Sequence, residues 1–141
     1  MAAPKILIVE ARFYGDLADE MAAGAIEAIE AVGASWDRLD VPGALEIPAA
    51  IKFAAGHYDG FVALGCVIRG ETTHYDYVCG ESARGLQELA LNAGLCIGNG
   101  VLTVEDSEQA WARADRKRKN KGADAANAAL RMIDIKQKFG A

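Results

Sequence analysis

The sequence predicts an α/β fold in which a central, mostly four-stranded parallel sheet lies between two layers of helices. Two observations support this prediction. Strand-like and helix-like apolar patterns alternate along the 141 residues, and one strand-like run, 61–68, is apolar throughout, as a strand covered on both faces must be. Strands that alternate with helices need crossover connections, so the sheet is parallel and ligands are expected at the carboxyl ends of its strands.

The first half of the chain supplies two strands and two helices. Residues 5–9 form a short apolar strand, and apolar residues then recur at helical spacing over 17–32. Residues 36–41 alternate apolar and polar side chains as a second strand. Residues 45–55 read as a short helix with Pro48 in its first turn, where the missing N–H costs little.

The second half supplies two more strands and three helices. The apolar strand 61–68 is followed by a helix over 75–92 that ends before Gly94, and by a strand over 95–103 that two glycines break. Asp106, with Gln109 three residues later, resembles a capping box that opens a helix through Ala114. A last helix carries the apolar stripe Ala126, Ala129, Leu130 and Ile133.

These elements form one three-layer, flavodoxin-like domain over residues 1–141, because the chain contains neither a repeat nor a Pro/Ser-rich linker. The longest apolar run is far too short to cross a membrane, and the apolar stretch near the start is too short for a signal peptide. We therefore expect a cytoplasmic protein with no membrane partner.

The cysteines and the charges exclude or weaken other classes. Cys66, Cys79 and Cys96 form no CxxC pair, and a Cys66–His74–Cys79 set lacks zinc-ligand spacing, so reduced thiols and no metal are expected. Residues 1–110 carry a net charge of −11 and residues 111–141 carry +6. The basic run 113–121 is either a solvated surface or an attraction for nucleic acid, an anionic substrate or an acidic neighbouring subunit.

Unusual residues follow three of the predicted strands, and together they indicate a site more strongly than any one segment does. One of these segments is the loop after 61–68. It has the two glycines of a phosphate-binding P-loop, but Glu71 occupies the lysine position, which argues against an NTPase. Likewise Gly98 and Gly100 lack the third glycine of a dinucleotide fingerprint. What remains is a glycine turn in which Thr72 and Thr73 either cradle a small phosphate or cap a helix.

Five further side chains have a functional and a structural interpretation. His74 is suited to proton transfer by the ordinary pKa of histidine, or it is a surface residue. Phe13 is an exposed aromatic lid or a core plug, and Glu46 is a ligand acceptor or a helix-dipole partner. Arg113 and Lys121 offer phosphate contacts or belong to the solvated basic surface.

In several segments the chain resembles the 6,7-dimethyl-8-ribityllumazine synthase family of riboflavin biosynthesis. The resemblance covers nearly the whole chain, and its most specific part is the run from Gly65 through His74 to Val78. The segments that carry it are 11–13, 41–48, 63–78, 100–103, 108–110 and 120–122. The resemblance implies a condensation of 5-amino-6-ribitylaminouracil with 3,4-dihydroxy-2-butanone 4-phosphate, with release of phosphate and water and without a cofactor or metal.

The resemblance also implies roles for individual residues. The position of Phe13 stacks on the pyrimidine, and His74 matches the proposed proton-transfer residue. Glu71 and Thr72 match residues that receive the phosphate. The remaining matched positions hold the ribityl chain (Ala44, Leu45, Glu46), line the pyrimidine (Cys66, Val67, Ile68), bind the phosphate (Arg113) or lie close to the same site (Lys121).

Departures from the family pattern concern assembly and one substrate contact. Asn99 stands where many members have phenylalanine, so the contact of a neighbouring subunit with the pyrimidine becomes a hydrogen bond here, and Tyr14 replaces a common asparagine. The charged segment 115–119 replaces the glycine-containing loop of members that form sixty-subunit shells. We therefore expect a free pentamer with active sites between subunits.

Two other functions compete with the enzyme. One is a flavin- or nucleotide-binding module that uses the same loops without catalysis. A histidine at position 74 beside Arg113 and Lys121 favours the enzyme over this module. The other is a nucleic-acid-binding protein that uses 113–121. The −11 charge of residues 1–110 and the lack of a nucleic-acid-binding motif argue against it.

Overall fold

The structure is a computed structural model that describes residues 3–141. Its strands are β1 (Lys5–Ala11), β2 (Ser35–Val41), β3 (Gly60–Ile68) and β4 (Ile97–Val104). Its helices are α1 (Gly15–Ala31), α2 (Ile47–Ala54), α3 (His74–Asn92), α4 (Ser107–Ala114) and α5 (Lys121–Phe139). The four strands are all parallel in the order β2-β1-β3-β4, which confirms the predicted sheet.

The sheet separates two apolar cores, as a three-layer α/β sandwich requires. Along β3, Val62 and Leu64 pack in the core beneath α1, α4 and α5, whereas Phe61 and Ala63 pack in the core beneath α2 and α3. All four side chains are buried, so β3 is covered on both faces and the prediction from its continuous apolar run is confirmed.

The structure corrects the predicted end of the first strand. β1 continues two residues beyond the predicted end at position 9, through Glu10 to Ala11. Glu10 is buried despite its charge, because Arg12 and Arg38 bind its carboxylate. A buried carboxylate with such partners keeps the strand intact where the sequence pattern alone indicates its end.

The glycines in the fourth strand do not break it. β4 pairs continuously with β3 from Ile97 to Val104, and Gly98 and Gly100 face α5. A Cβ atom on Gly98 would lie 1.7 Å from the backbone oxygen of Ala125, so the glycine lets α5 pack directly on the sheet. The predicted interruption is therefore wrong, and its cause is close packing.

The helix ends follow the sequence closely. Gly33 and Gly94 adopt positive φ after α1 and α3, as glycine stops should. The Asp106 carboxylate accepts a hydrogen bond from the Gln109 backbone at 2.8 Å, but the Gln109 side chain accepts from Glu105 at 2.9 Å, so the capping box closes one residue earlier than predicted.

The remaining helices add smaller corrections. A 3₁₀ turn over Ala44–Glu46 precedes α2, whose first turn contains Pro48 as predicted. Ala126, Ala129 and Ile133 form the buried face of α5. No helix of residues 3–141 is long and apolar enough to cross a membrane, and the three cysteines are free.

Candidate active site

A cavity of about 280 Å³ lies at the carboxyl ends of β1 and β3, where the fold predicts a ligand. Phe13 lies at its edge and is 80% exposed, with the Tyr14 ring edge-on at 4.9 Å. Phe13 is therefore not a core plug, and the aromatic-lid interpretation fits its position. The cavity is lined by Ala11, Phe13, Tyr14, Pro42, Gly43, Ala44, Leu45, Glu46, Cys66, Val67, Ile68, His74 and Val78.

The turn before α2 forms one wall of this cavity. Ala44 is buried beneath the wall, and Leu45 and Glu46 are exposed on it. The Glu46 backbone donates to the Gly43 carbonyl at 3.1 Å, which closes the turn. Glu46 also occupies the N-cap position of α2 without a side-chain cap bond, so its carboxylate can accept a hydrogen bond from a ligand.

The last three residues of β3 form the opposite wall. Cys66, Val67 and Ile68 are half-buried and line the cavity with apolar surface. Burial raises the pKa of the Cys66 thiol to about 11. Because the thiol stays protonated at neutral pH, Cys66 is suited to contact a ligand and is not an activated nucleophile.

His74 is the first residue of α3, one position earlier than the predicted helix start, and its side chain reaches the cavity. Its backbone N–H donates to the Thr72 hydroxyl at 3.3 Å, whereas Thr73, at the N-cap, makes no side-chain cap bond. Glu71 and Thr72 are exposed in the loop before the helix. The N-terminus of a 19-residue helix therefore lies beside an exposed histidine, where an anion is favoured.

A second cavity, of about 350 Å³, lies along the edge strand β4 where α4 and α5 meet it. Arg113 donates to the Gln109 carbonyl at 3.0 Å, and the Lys121 ammonium lies 3.4 Å from the Asp124 carboxylate. The Asn99 side-chain oxygen accepts from the Val101 backbone at 2.9 Å, which leaves its NH₂ group as a donor. All three predicted residues on this side of the chain, Asn99, Arg113 and Lys121, line the cavity.

The two cavities have no lining residue in common. One chain thus brings Phe13 and His74 together but places Arg113 and Lys121 elsewhere, at the edge of the sheet. The sequence pattern also misses several lining residues that have no chemical signature of their own, such as Val78, which simply follows His74 by one helical turn.

The basic segment is partly neutralised within the chain. The Arg116 guanidinium binds the carboxylates of Glu20 and Glu27 on α1, and its backbone N–H also donates to Glu20 at 2.9 Å. These contacts lower the pKa of Glu20. Arg116 is thus occupied within the chain, whereas Arg118 is exposed at the surface.

The fold and the first cavity define an α/β protein with a ligand-sized cleft at the carboxyl ends of its parallel strands. Comparison with known proteins makes this specific: the family profile described as 6,7-dimethyl-8-ribityllumazine synthase matches residues 3–137. The chain belongs to this family, which confirms the resemblance in the sequence. It is an enzyme of the transferase class in riboflavin biosynthesis.

Curated relatives agree over nearly their whole length. The 6,7-dimethyl-8-ribityllumazine synthase 1 of Rhizobium meliloti is 59% identical, covering 96% of this chain and 94% of the relative. The 6,7-dimethyl-8-ribityllumazine synthase of Agrobacterium fabrum is 57% identical over 99% of both chains. That of Sphingopyxis alaskensis is 57% identical over 96% of both.

Proposed function

We propose that this chain condenses 5-amino-6-(D-ribitylamino)uracil with 3,4-dihydroxy-2-butanone 4-phosphate to 6,7-dimethyl-8-ribityllumazine, with release of phosphate and water. The observation that carries the proposal is the cavity in which Phe13, the turn at Glu46 and His74 meet at the carboxyl ends of the strands. The family match over residues 3–137 supports the choice of reaction.

The first cavity holds the pyrimidine in this proposal. Phe13 offers the exposed face of its ring for stacking. The ribityl chain lies along Ala44, Leu45 and Glu46, where the carboxylate accepts hydrogen bonds from its hydroxyls. The pyrimidine edge lies against the half-buried wall of Cys66, Val67 and Ile68.

The loop before α3 receives the phosphate ester. Glu71 and Thr72 contact it, and the helix N-terminus at His74 stabilises its negative charge. Attack of the pyrimidine amine on the ketone gives an imine, and phosphate is then eliminated. Both steps move protons beside a leaving anion, and we assign their transfer to the exposed imidazole of His74.

Each active site is completed by a second copy of the chain. Each cavity alone is small for a site that must hold two substrates. Their volumes are about 280 and 350 Å³, near the lower end of the roughly 300–1,000 Å³ typical of ligand clefts. A ring with head-to-tail contacts brings the second cavity of one subunit to the first cavity of its neighbour. Asn99 then donates its NH₂ group to the pyrimidine, and Arg113 and Lys121 approach the phosphate.

The most direct test of the reaction is to mix the purified protein with both substrates. We expect the fluorescent lumazine to appear together with one phosphate per molecule of product. Pyrimidine binding without product would instead favour a module that binds without catalysis.

We expect a free pentamer, because the charged segment 115–119 lacks the glycine-containing loop of shell-forming members. Light scattering should give about 75 kDa, five times the 14.9 kDa of one chain. An active monomer would contradict the shared site. A particle of about sixty chains would contradict the role given to segment 115–119.

Arg113→Ala should raise the KM for the butanone phosphate about ten- to a hundred-fold, because a charge-assisted hydrogen bond contributes about 1.5–3 kcal/mol. The Kd of the pyrimidine should barely change. Arg118→Ala is the matched control, since Arg118 is an exposed arginine of the same basic run, and it should leave both constants unchanged. Equal losses in the two variants would remove Arg113 as the phosphate ligand.

The same comparison addresses nucleic acid, for which we propose no role. In a nucleic-acid-binding protein, Arg113 and Arg118 would each contribute to affinity by a similar amount and to its salt dependence.

We further propose that residues 1–141 act as one domain in the cytoplasm, where the free thiols of Cys66, Cys79 and Cys96 suit a reducing environment.

A further inference from the structure

We propose that a charge network of Glu10, Arg12 and Asp19 positions Phe13 for stacking on the pyrimidine, so that these three are positioning residues of the reaction. This inference rests on the proposed function, because it takes Phe13 as the stacking face. It adds residues whose side chains do not line the cavity themselves.

The network begins at a buried carboxylate. The Glu10 side chain on β1 is only 2% exposed, and its Oε1 accepts from Arg12 at 2.8 Å. Arg38 on the neighbouring strand β2 donates to both oxygens of the same carboxylate, at 2.6 and 2.8 Å. The Glu10 charge is thus fully hydrogen-bonded, and its direction is fixed from two sides.

Arg12 connects this carboxylate to the first helix. One nitrogen of its guanidinium donates to Glu10 and the other donates to Asp19 on α1 at 2.7 Å. The hydrogen bond from Arg12 lowers the pKa of Asp19, so the pair stays ionised at neutral pH. Arg12 therefore holds the end of β1 and the first turns of α1 in one geometry, on both sides of Phe13.

Phe13 has little else to fix its position. The ring is 80% exposed, and its aromatic contact is the edge of its neighbour Tyr14. Tyr14, the N-cap of α1, makes no side-chain cap bond, but its carbonyl accepts the first helical hydrogen bond from the Ala18 backbone at 2.9 Å, which holds the turn after Phe13. On the other side of Phe13, the backbone at residue 12 is held by the Arg12 side chain, which binds carboxylates on both β1 and α1.

The energetics favour a positioning role over a purely stabilising one. Buried ion pairs cost desolvation, and well-packed apolar residues of similar volume often stabilise a fold as well or better. A planar guanidinium that binds two carboxylates does provide one defined geometry, which an apolar contact does not. Arg12 directly precedes Phe13 in the chain, and the exposed Phe13 ring lines the first cavity, where it can stack on a flat ligand.

A double-mutant cycle tests the proposal with the purified oligomer and the pyrimidine substrate as the ligand. Phe13→Ala should raise the pyrimidine Kd about 5- to 150-fold, the range for loss of base–aromatic stacking. Arg12→Lys keeps the charge but loses the fork, and it should raise the same Kd by at least about five-fold. In the Phe13→Ala background Arg12→Lys should add less than about two-fold, because its effect passes through the ring.

Two further variants separate positioning from stability. Arg84→Lys is the matched control, because Arg84 also binds two carboxylates, those of Glu81 and Glu88 on α3, but does not line the cavity, and it should leave the pyrimidine Kd unchanged. Asp19 is exposed, so the fold should tolerate Asp19→Asn. Like Arg12→Lys, this variant should raise the pyrimidine Kd, and it should have no effect in the Phe13→Ala background.

The outcomes distinguish this inference from the proposed function. If Phe13→Ala leaves the Kd unchanged, the stacking role of Phe13 is wrong. If Phe13→Ala weakens binding but Arg12→Lys and Asp19→Asn do not, or if their effects add in full to that of Phe13→Ala, the positioning role is wrong and the stacking role stands.

Discussion

His74→Ala should lower kcat about 10²–10⁴-fold, the usual contribution of a general acid–base group, while the pyrimidine Kd stays within a few-fold. The reason is geometric. His74 is the first residue of α3 and lines the cavity next to the loop of Glu71 and Thr72, where the proposed function puts the phosphate, whereas stacking on the pyrimidine is assigned to Phe13. Residual activity comes from holding the two substrates together.

The chain offers a matched control in its second histidine. His57 is exposed in the turn before β3, at the amino end of the strand and away from the cavity, so His57→Ala should keep full activity. Steady-state kinetics at saturating substrates measure both variants. An unchanged kcat for His74→Ala would remove His74 from the mechanism.

The second large effect concerns folding. Gly98→Ala should lower the free energy of unfolding by more than about 3 kcal/mol, at the upper end for an overpacked core. The new Cβ would lie 1.7 Å from the backbone oxygen of Ala125, and backbone cannot rotate away as a side chain can. Because α5 must move off β4, the second cavity should be lost together with the stability.

A thermal melt checks this prediction, with Gly80→Ala as the control. Gly80 is exposed within α3, and a Cβ added there would meet nothing within 4 Å beyond its chain neighbours and its own helix backbone, so alanine should stabilise the fold by about 0.5–1 kcal/mol. Gly98→Ala should lower the melting temperature by roughly 10 °C or more. A melting temperature equal to that of the unchanged protein would mean that α5 does not pack on β4 as described.

Local patterns were sufficient to predict most of the fold. Apolar periodicity, glycine stops and the Asp106 cap predict the alternating strands and helices, because each depends on neighbours within one turn or strand. The extent of β1 and the continuity of β4 depend on residues far along the chain. Glu10 can be buried in β1 because Arg38 on β2 binds its carboxylate, and Gly98 is needed in β4 because the Ala125 backbone packs against it.

In the candidate site too, local features are predictable from the sequence and long-range ones are not. Glu46 follows the end of β2 and His74 follows the end of β3, where the fold class predicts a ligand, and both line the first cavity. The separation of Arg113 from His74 could not be predicted from pattern alone, because it depends on which side of the sheet α4 reaches. The sequence pattern does not predict the network of Glu10, Arg12 and Asp19 either. Its one signal in the sequence is a carboxylate, Glu10, at the end of an apolar strand.

The central claim is that one subunit supplies Phe13 and His74 and its neighbour supplies Arg113 and Lys121. Subunits with His74→Ala and subunits with Arg113→Ala can be unfolded, mixed in equal amounts and refolded together. The assay uses a butanone phosphate concentration below the KM of the unchanged enzyme, where each variant alone is nearly inactive. In a head-to-tail ring about a quarter of the interfaces then pair two unaltered halves, so activity should return to about a quarter of that of the unchanged enzyme. Activity no greater than that of the two variants assayed separately would contradict the shared site.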